Sequence, residues 1–457
     1  MNRDLQAILL HDNPWLVSGE RLADWLRHRL PDTLLPREVS PAVRERWAEV
    51  NRAHLVVGPR QAGKSTLLWS HLAEIGKPAL FVDCEQALVQ DWCRSAPLFL
   101  ADLEDLLPRP VPLFFEEAQH LEEAGLFLKG LVDRRVGVPL LVTGSSSFHL
   151  GARTRESLAG RATRTRLLPL SFAEVCQDLE GKPPLVAEAL AEERFERHLA
   201  IGGYPAVWLS KGLSKGLSKG LSEGLSEQPE LLLSDLVEAV VLRDASDLFR
   251  IGRPDAFRKL LSLLAAQVGS LVNLSEWASI LGISRDTVAA YLEILESGHV
   301  AVTIPPFVGG RRAELTSRPK VYLVDNGLRN RLVHDFERLA ERADAGPTLE
   351  NWVFSELWKA LPAEASLHFW RSTSGAEVDF VVQRGQVTVG VEVKAGRFSR
   401  PRIPRAARSF VEAYRPRALL TVQGGRESLD HRQEEGVTEV RWLPAREVAN
   451  AVRSYFR

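Results

Sequence analysis

A segment of eight residues near residue 60 strongly limits the folds that this chain can adopt. Gly58-Pro59-Arg60-Gln61-Ala62-Gly63-Lys64-Ser65 fits the pattern GxxxxGK[ST]. It follows an apolar stretch, His54–Val57, that is typical of a strand, and precedes a helical pattern over Thr66–Leu72. In a strand–loop–helix unit of this kind, the backbone N–H groups of the loop point toward phosphate groups. The sequence therefore predicts a P-loop inside an α/β domain.

The residue types in this loop predict its chemistry. The glycines let the backbone approach the phosphates, Lys64 neutralises the β- and γ-oxygens, and the hydroxyl of Ser65 is a ligand for magnesium. We therefore expect residues Gly58 to Thr66 to bind ATP with Mg²⁺. The alternative, a glycine-rich turn beside a solvated lysine, is disfavoured by the strand and helix on either side.

A second apolar stretch, Leu113–Phe115, ends in two acids, Glu116 and Glu117, as a Walker B strand does. Glu116 occupies the position where Asp is expected as a magnesium ligand, and its extra methylene could move the carboxylate relative to a metal-bound water. We predict that Glu117 polarises the attacking water. The alternative is a pair of solvated acids at the end of a strand.

The third motif, Leu140–Thr143 followed by small hydroxyl residues, predicts a strand whose end contacts the γ-phosphate, with Ser145 as the candidate residue. A serine-rich turn that caps the next helix explains the same pattern equally well. Five arginines follow before Leu167, and Arg161 is the one we expect to act in the transition state. The five are Arg153, Arg155, Arg161, Arg164 and Arg166.

Apolar stretches alternating with helical patterns predict a parallel sheet of α/β type in the first third of the chain. We predict an ATPase core over 1–170, a helical lid over 171–255, a winged-helix domain over 256–335 and a second α/β domain over 345–457. Within the lid, a four-residue repeat from Gly212 to Glu227 is interpreted as a surface excursion without chemistry.

Composition sets broad limits on function and location. The chain of 457 residues has 58 basic and 59 acidic side chains, so any DNA contact must be a local patch. The first ten residues do not resemble a secretory signal, and no apolar run is long enough for a membrane span. Cys84, Cys93 and Cys176 lack metal-ligand spacing. We expect a cytoplasmic protein without membrane contact.

The C-terminal region has a second candidate site. Asp379 lies on a predicted strand, Glu377–Gln383, and Glu392 and Lys394 share one face of the next, Thr388–Lys394. The pattern resembles a PD-(D/E)XK nuclease site, in which two carboxylates could hold a divalent metal while Lys394 steadies water or phosphate. Glu350, on the predicted helix Leu349–Leu361, resembles the extra acid of such folds, and Glu377 is expected to be solvated. A retained fold with an inactive charge cluster is the alternative.

Several basic residues are candidates for nucleic-acid contact. Ser284 is a predicted N-cap for the third helix of a winged helix, which would present Arg285 and Thr287 to a groove. Wing candidates are Arg311, Arg312, Arg318 and Lys320, and a later basic stretch contains Arg397, Arg400, Arg402, Arg405 and Arg408. Solvated faces or subunit contacts are equally consistent with these residues.

Together, the order of these motifs resembles the prokaryotic AAA-type ATPases that carry a C-terminal domain of unknown function with a restriction-endonuclease-like outline. The matching segments, which span nearly the whole chain, are Gly58–Thr66, Phe114–Gln119, Thr143–Ser147, Ser157–Arg161, Pro169–Phe172, Gly202–Pro205, Leu242–Asp244, Val324–Arg329 and Leu349–Asn351. The resemblance implies an AAA fold. It also implies that Arg161 is an arginine finger acting on a neighbouring subunit, and hence a homo-oligomer.

Three functions are compatible with this pattern. The first is an ATP-hydrolysing motor or switch that acts on DNA, such as branched or broken DNA in recombination or repair, and whose C-terminal domain grips or cuts it. The second is a nucleotide-dependent assembly switch whose C-terminal domains bind a protein partner. The third is a metal-dependent nuclease with a degenerate ATPase.

Overall fold

The structure is a computed structural model of the full chain. It describes residues 2–18, 22–27, 30–76, 78–107, 109–144, 158–210, 228–239, 251–307, 318–362, 364–372, 374–396, 400–424 and 431–456. These residues form two compact units. The first contains the described residues up to Leu168 together with Ser297–His299, and the second contains the others.

The first unit is built on a parallel sheet of five strands in the order β2-β3-β4-β1-β5. The strands are β1 Ala53–Val57, β2 Leu80–Asp83, β3 Leu113–Glu116, β4 Leu140–Gly144 and β5 Ala162–Arg166. The helices are α1 Arg3–Asp12, α2 Trp15–Ser18, α3 Leu22–Leu26, α4 Pro41–Arg46, α5 Lys64–Ile75, α6 Ala87–Trp92, α7 Ala96–Leu106 and α8 Ala124–Asp133. Because the strands are parallel, the residues that follow β1, β3 and β4 meet at one edge of the sheet.

Side chains of the central strands alternate between two apolar cores, one on each face of the sheet. In β3, Leu113 and Phe115 contribute to one core and Phe114 to the other. Burial on both faces explains why these strands are continuous apolar runs rather than alternating ones. The polar N-terminal segment is helical: Leu5 of α1 joins the first core and Trp15 of α2 the second.

The second unit begins with helices that include the predicted lid, followed by a two-stranded antiparallel sheet. The elements are α9 Phe172–Cys176, α10 Pro184–Ile201, α11 Pro205–Leu209, α12 Pro229–Ala239, α13 Pro254–Ala266, α14 Leu274–Leu281, α15 Arg285–Ser297, β6 Ala301–Ile304, β7 Lys320–Leu323 and α16 Asn326–Val333. Three helices followed by a strand pair is the order predicted for a winged helix. The repeat that starts at Gly212 and the segment Leu242–Asp244 lie outside the described residues.

A mixed six-stranded sheet in the order β12-β13-β11-β10-β9-β8 completes the second unit. Its elements are α17 Ala345–Ala360, β8 Ser366–Arg371, β9 Glu377–Arg384, β10 Val387–Lys394, α18 Arg405–Tyr414, β11 Ala418–Gln423, β12 His431–Glu435, β13 Thr438–Pro444 and α19 Val448–Ser454. This sheet domain and the parallel sheet of the first unit confirm the predicted α/β fold class. No helix in the described ranges is both long enough and apolar enough to span a membrane.

Buried polar side chains connect the parts of the second unit. Asp325, before α16, accepts hydrogen bonds from the backbone N–H groups of Gly203 at 2.7 Å and Leu328 at 3.0 Å. Asn330 donates to two carbonyls at the end of α10, and Asn351 of α17 pairs with the backbone of Leu323. Three motifs that support the family resemblance therefore contribute to one internal hydrogen-bond network.

Candidate functional site

The P-loop connects β1 to α5 at the carboxyl edge of the parallel sheet. Gln61 and Gly63 have positive φ angles of 58° and 89°, so the chain turns sharply before the first turn of the helix. At Gly58, a Cβ atom would lie 1.8 Å from the carbonyl oxygen of Leu167, which any side chain would clash with. These backbone constraints explain the glycines at both ends of the motif.

Lys64 is almost fully buried at the start of α5. Its Nζ donates to the carbonyl oxygen of Pro59 at 3.0 Å and lies 3.9 Å from Oε1 of Glu117. The ammonium is therefore held inside the loop, next to the predicted catalytic carboxylate. From this position it can neutralise phosphate oxygens bound by the loop.

Glu116 ends β3 beside the P-loop. Its carboxylate accepts a hydrogen bond from the hydroxyl of Ser65, while burial and, to a smaller degree, the charge of Glu117 raise its pKa. The two side chains predicted to bind magnesium are thus direct neighbours. An oxygen-only pair of this kind fits Mg²⁺, which prefers hard oxygen ligands and retains several waters.

Glu117 is held in place by two neighbours. Its backbone is left-handed, with φ 50°, and its N–H donates to Oγ1 of Thr143 at 3.0 Å. Nε2 of Gln119 donates to Oε2 of its carboxylate at 2.5 Å. Thr143 is fully buried at the end of β4. It was expected only as part of a γ-phosphate sensor strand, and Ser145, the predicted sensor, lies outside the described residues.

Arg161 lies just before β5, at the opposite edge of the sheet from the P-loop. The pairing of β1 with β5 aligns Ala53 with Ala162 and Val57 with Arg166, so one five-residue strand, about 16 Å long, separates Arg161 from the loop edge. Its Nε contacts Oδ1 of Asp133 at 2.5 Å. The geometry therefore does not bring Arg161 to the P-loop of its own chain. Arg153 and Arg155 lie outside the described residues.

Two residues near the P-loop had no recognisable sequence signal. The guanidinium of Arg37 donates to the carbonyl oxygens of Ala62 at 2.7 Å and Leu168 at 2.5 Å. Burial, together with the positive charges of Arg166 and Lys64, lowers the pKa of His299 to about 4, so His299 is neutral at pH 7. Neither residue belongs to a motif, and each reaches the loop from a distant part of the chain.

The predicted nuclease-like residues are brought together in the second unit. The β9–β10 register runs to Val391 opposite Phe380, so Glu392 and Asp379 are the next facing positions. Oδ2 of Asp379 accepts the N–H of Val393 at 2.7 Å, and Oε1 of Glu392 lies 2.6 Å from Nζ of Lys394. Burial and the nearby charge of Asp379 raise the pKa of both Glu350 and Glu392 to about 7.

Two further residues of this cluster behave differently from expectation. Lys320 is not on the surface of a wing: its side chain is 3% exposed, and its Nζ lies 2.5 Å from Oε1 of Glu377 and 3.3 Å from Oε1 of Glu350. Glu377 is consequently not a solvated strand residue. The hydroxyl of Tyr322 also donates to Oε1 of Glu350, at 2.6 Å. Residues of β7 therefore complete the cluster, which the pattern around β9 and β10 could not indicate.

The predicted nucleic-acid contacts are only partly described. Ser284 caps α15 as predicted, accepting the N–H of Thr287 at 3.0 Å; Arg285 is exposed, and the hydroxyl of Thr287 lies 2.8 Å from that of Ser284. Arg311, Arg312 and Arg397 lie outside the described residues. Around α18, six exposed arginines have no ion pair in the part of the chain that the structure describes. They are Arg400, Arg402, Arg405, Arg408, Arg415 and Arg417.

Comparison with family models gives three matches. Residues 50–176 match the AAA domain model, 192–339 match a domain of unknown function (DUF8612), and 345–443 match another (DUF4143). With the P-loop and the parallel sheet, the first match identifies residues 50–176 as a P-loop ATPase domain of AAA type.

Two similar proteins carry only the description "uncharacterized protein". The relative from Mycobacterium tuberculosis is 28% identical, and the match covers 78% of this chain and 72% of the relative. The relative from Haemophilus influenzae is 24% identical, and the match covers 74% of this chain and 81% of the relative. Among solved structures, a STAND protein with a tetratricopeptide repeat sensor from Pyrococcus horikoshii is 12% identical over 73% of this chain and 46% of its own, with a TM-score of 0.27. The RuvB Holliday junction branch migration motor of Thermotoga maritima is 17% identical, and the match covers 58% of this chain and 85% of that protein, with a TM-score of 0.27.

Proposed function

We propose that this chain hydrolyses ATP and uses the nucleotide cycle to act on DNA. The observation that carries the hydrolysis step is the position of Glu117, whose backbone is bonded to Thr143 and whose carboxylate is bonded to Gln119 beside Lys64. A P-loop that only binds nucleotide does not need a carboxylate held in this way. A positioned carboxylate can orient the attacking water and accept its proton.

Each residue of the site has a distinct task in this proposal. The P-loop N–H groups and Lys64 bind and neutralise the phosphates. The hydroxyl of Ser65 and the carboxylate of Glu116 would hold Mg²⁺, which neutralises charge on the phosphate oxygens when it is bound. Glu116 must be ionised for this task, and the approach of a divalent cation counteracts the burial that raises its pKa. Glu117 remains free of the metal to act on water.

The proposed arginine finger requires a second copy of the chain. Arg161 is at the sheet edge opposite its own P-loop, which supports action on a neighbouring subunit rather than in cis. In the single chain its guanidinium is paired with Asp133, and both side chains are more than a third exposed. Solvent-exposed pairs of this kind contribute little stability, so phosphate could replace Asp133 as the partner of Arg161. We therefore propose a homo-oligomer.

The arginine surface of the second unit, defined as the six exposed arginines around α18, supports DNA as the partner. The formal net charge of the whole chain is −1, so six exposed arginines in one short segment, without an ion pair to any described residue, are a local exception. Arg405 and Arg408 lie one turn apart on α18 and share a face of the helix. Guanidinium groups in such a row can contact successive phosphates of a nucleic-acid backbone.

The second candidate function is a nucleotide-dependent assembly switch with a protein partner. The same arginine surface could dock an acidic protein, and nucleotide would then set the assembled state. DNA in a recombination or repair context is the partner we favour because its backbone presents a dense, regular row of phosphates to exposed arginines. In bacterial cells, such as those of the two relatives, both ATP and DNA are cytoplasmic, and we assign the activity to that compartment.

The decisive experiment measures the ATPase rate of the full chain with duplex, single-stranded, forked and four-way DNA, using Glu117→Gln as the control. We expect Glu117→Gln to bind ATP but to lose at least about two orders of magnitude in rate, as removal of a water-orienting group does. Stimulation by one DNA structure would support the DNA proposal. Absence of DNA binding at low salt would overturn it in favour of the assembly switch, and an unchanged rate in Glu117→Gln would overturn the catalytic assignment.

A further inference from the structure

We propose that the ammonium of Lys320 is the resident cation of the C-terminal acidic cluster, defined as Glu350, Glu377, Asp379 and Glu392, and that it replaces the divalent metal of a nuclease. This inference deepens the proposed function, because it makes the C-terminal domain a DNA-holding rather than a DNA-cutting part. It does not depend on the ATPase reaction.

The first observation is the environment of Lys320. Its side chain is 3% exposed, and its Nζ contacts Oε1 of both Glu377 and Glu350, while the ring centroid of Phe369 lies 5.4 Å away. A buried ammonium is strongly disfavoured unless carboxylates compensate for the lost water. Two carboxylates at hydrogen-bonding distance and an aromatic face provide that compensation. The ammonium of Lys320 is therefore held inside the cluster.

The second observation is that Glu350 is built to face Lys320. Its Oε1 also accepts the hydroxyl of Tyr322, two residues after Lys320 on the same strand. A Cβ atom on Gly269, whose φ is 76°, would lie 2.9 Å from that oxygen. A side chain at position 269 would be strained and would crowd this carboxylate oxygen, which already accepts from two donors, Lys320 and Tyr322.

A divalent metal does not fit the remaining donors well. Oδ2 of Asp379 accepts the N–H of Val393, and Oε1 of Glu392 is paired with Lys394, whereas Oε2 of Glu392 is buried without a hydrogen-bond partner among the described residues. In the part of the chain that the structure describes, no three or more His, Cys, Asp or Glu side chains are arranged so that they could hold a metal. A divalent ion between Asp379 and Glu392 would also be repelled by the ammonium group of Lys320, which is additional to the PD-(D/E)XK pattern.

The connectivity makes Lys320 a permanent occupant. β7 is paired with β6 along its whole length, and Lys320 is additionally bridged to Leu271. Its ammonium is therefore supplied by the same folded unit, at an effective concentration that a free cation cannot match. The cluster consequently has the carboxylates of a PD-(D/E)XK site but is neutralised from within.

The inference is tested by measuring the binding of Mn²⁺ to the full chain without nucleotide. Calorimetry and the paramagnetic resonance of free Mn²⁺ are the two measurements. We expect no saturable binding by the unmodified chain below about 1 mM, the weak end of protein sites for divalent cations. Lys320→Met should bind at least about tenfold more tightly, because one repelling charge is removed. Lys320→Arg keeps the charge and should behave like the unmodified chain, and Lys320→Met with Asp379→Asn should lose the gained binding.

The outcomes separate this inference from the proposed function. The inference about Lys320 would be overturned if the unmodified chain bound Mn²⁺ saturably below about 1 mM and Asp379→Asn abolished that binding. It would also be overturned if Lys320→Met bound Mn²⁺ no more tightly than the unmodified chain. If Lys320→Met does not fold, as judged by thermal unfolding, the unmodified chain and Asp379→Asn decide the question alone. The ATPase rate of Lys320→Met should be unchanged, so failure of the metal prediction and failure of the ATPase proposal are seen in different measurements.

Discussion

The hydroxyl of Thr143 accepts the backbone N–H of Glu117 at 3.0 Å, and this bond links the ends of two neighbouring strands, β4 and β3. It holds Glu117 in a left-handed conformation, which is unfavourable for a residue with a side chain. The orientation of the proposed catalytic carboxylate therefore depends on a residue that never touches the nucleotide phosphates in this proposal. Thr143 is a positioning residue.

Thr143→Val tests that relationship. Valine has nearly the same shape but cannot accept the N–H, which would lose its partner in a part-buried position at a cost of about 1–3 kcal/mol. We expect kcat to fall by about tenfold or more while the affinity for ATP stays unchanged. Thr143→Ser keeps the acceptor and should retain most of the rate. Equal losses of ATP affinity and kcat would contradict a positioning role.

Mixed oligomers test the trans action of Arg161. Arg161→Ala alone should lose about three orders of magnitude in kcat and keep its ATP affinity, as expected for loss of an arginine finger. Mixed with an equal amount of Glu117→Gln, which is also inactive, it should recover up to about a quarter of the rate, because about a quarter of random interfaces join an intact Glu117 to an intact Arg161. No recovery in oligomers shown to be mixed would exclude action between subunits.

Asp325→Ala should destabilise the second unit. The change removes the acceptor for two buried N–H groups, those of Gly203 and Leu328, one of them at the start of α16. We expect the free energy of unfolding of this unit to fall by about 2–4 kcal/mol in urea denaturation. Asp325→Asn keeps one acceptor oxygen and should lose less. A transition unchanged in Asp325→Ala would show that the network contributes no stability.

The raised pKa of Glu392 predicts a specific pH dependence of the free energy of unfolding. Burial raises its pKa in the folded chain to about 7 from the ordinary 4.5, so between these values the folded state binds more protons than the unfolded state. The free energy of unfolding should therefore fall as pH rises from about 4.5 to about 7, by about 1–3 kcal/mol for this group. Glu392→Gln cannot titrate and should make that part of the profile less steep in thermal unfolding, while Glu350, whose pKa is also raised to about 7, contributes the remaining slope. An identical slope in both proteins would rule Glu392 out as its origin.

The arginine surface predicts a salt-dependent loss of DNA affinity. Replacing Arg405 and Arg408 with Ala removes two proposed phosphate contacts, so the slope of log affinity against log salt should become less steep by about 2. Arg94→Ala with Arg134→Ala removes two exposed arginines of the first unit and should leave the slope unchanged. Equal effects of both pairs would indicate an unspecific charge effect.

The central strands could be predicted from sequence because they are buried on both faces. The expected strands His54–Val57 and Leu113–Phe115 differ from β1 and β3 by one residue at one end. The edge strand β5 was missed: its sequence, ATRTR, has no apolar run, and its side chains are at least partly exposed. An edge strand with one partner does not need a continuous apolar pattern.

The site residues divide in a similar way. The proximity of Lys64, Ser65, Glu116 and Glu117 could be predicted because each residue belongs to a local motif, and their roles stay predictions. Lys320 could not, since a lysine before an apolar strand resembles a solvated residue, and its partners Glu350 and Glu377 are thirty and fifty-seven positions further along the chain. Burial of a charge depends on such distant partners, which a single sequence does not reveal.

Arg37 connects the P-loop to the end of the ATPase domain. Its guanidinium bridges Ala62, inside the P-loop, and Leu168, the last residue of the first unit before the chain continues into the second. At the first residue of the loop, Gly58 has no room for even a methyl group against Leu167, the neighbour of Leu168 in the chain. A displacement of Ala62 would therefore disturb a hydrogen-bonded bridge to the segment through which the chain leaves the ATPase domain.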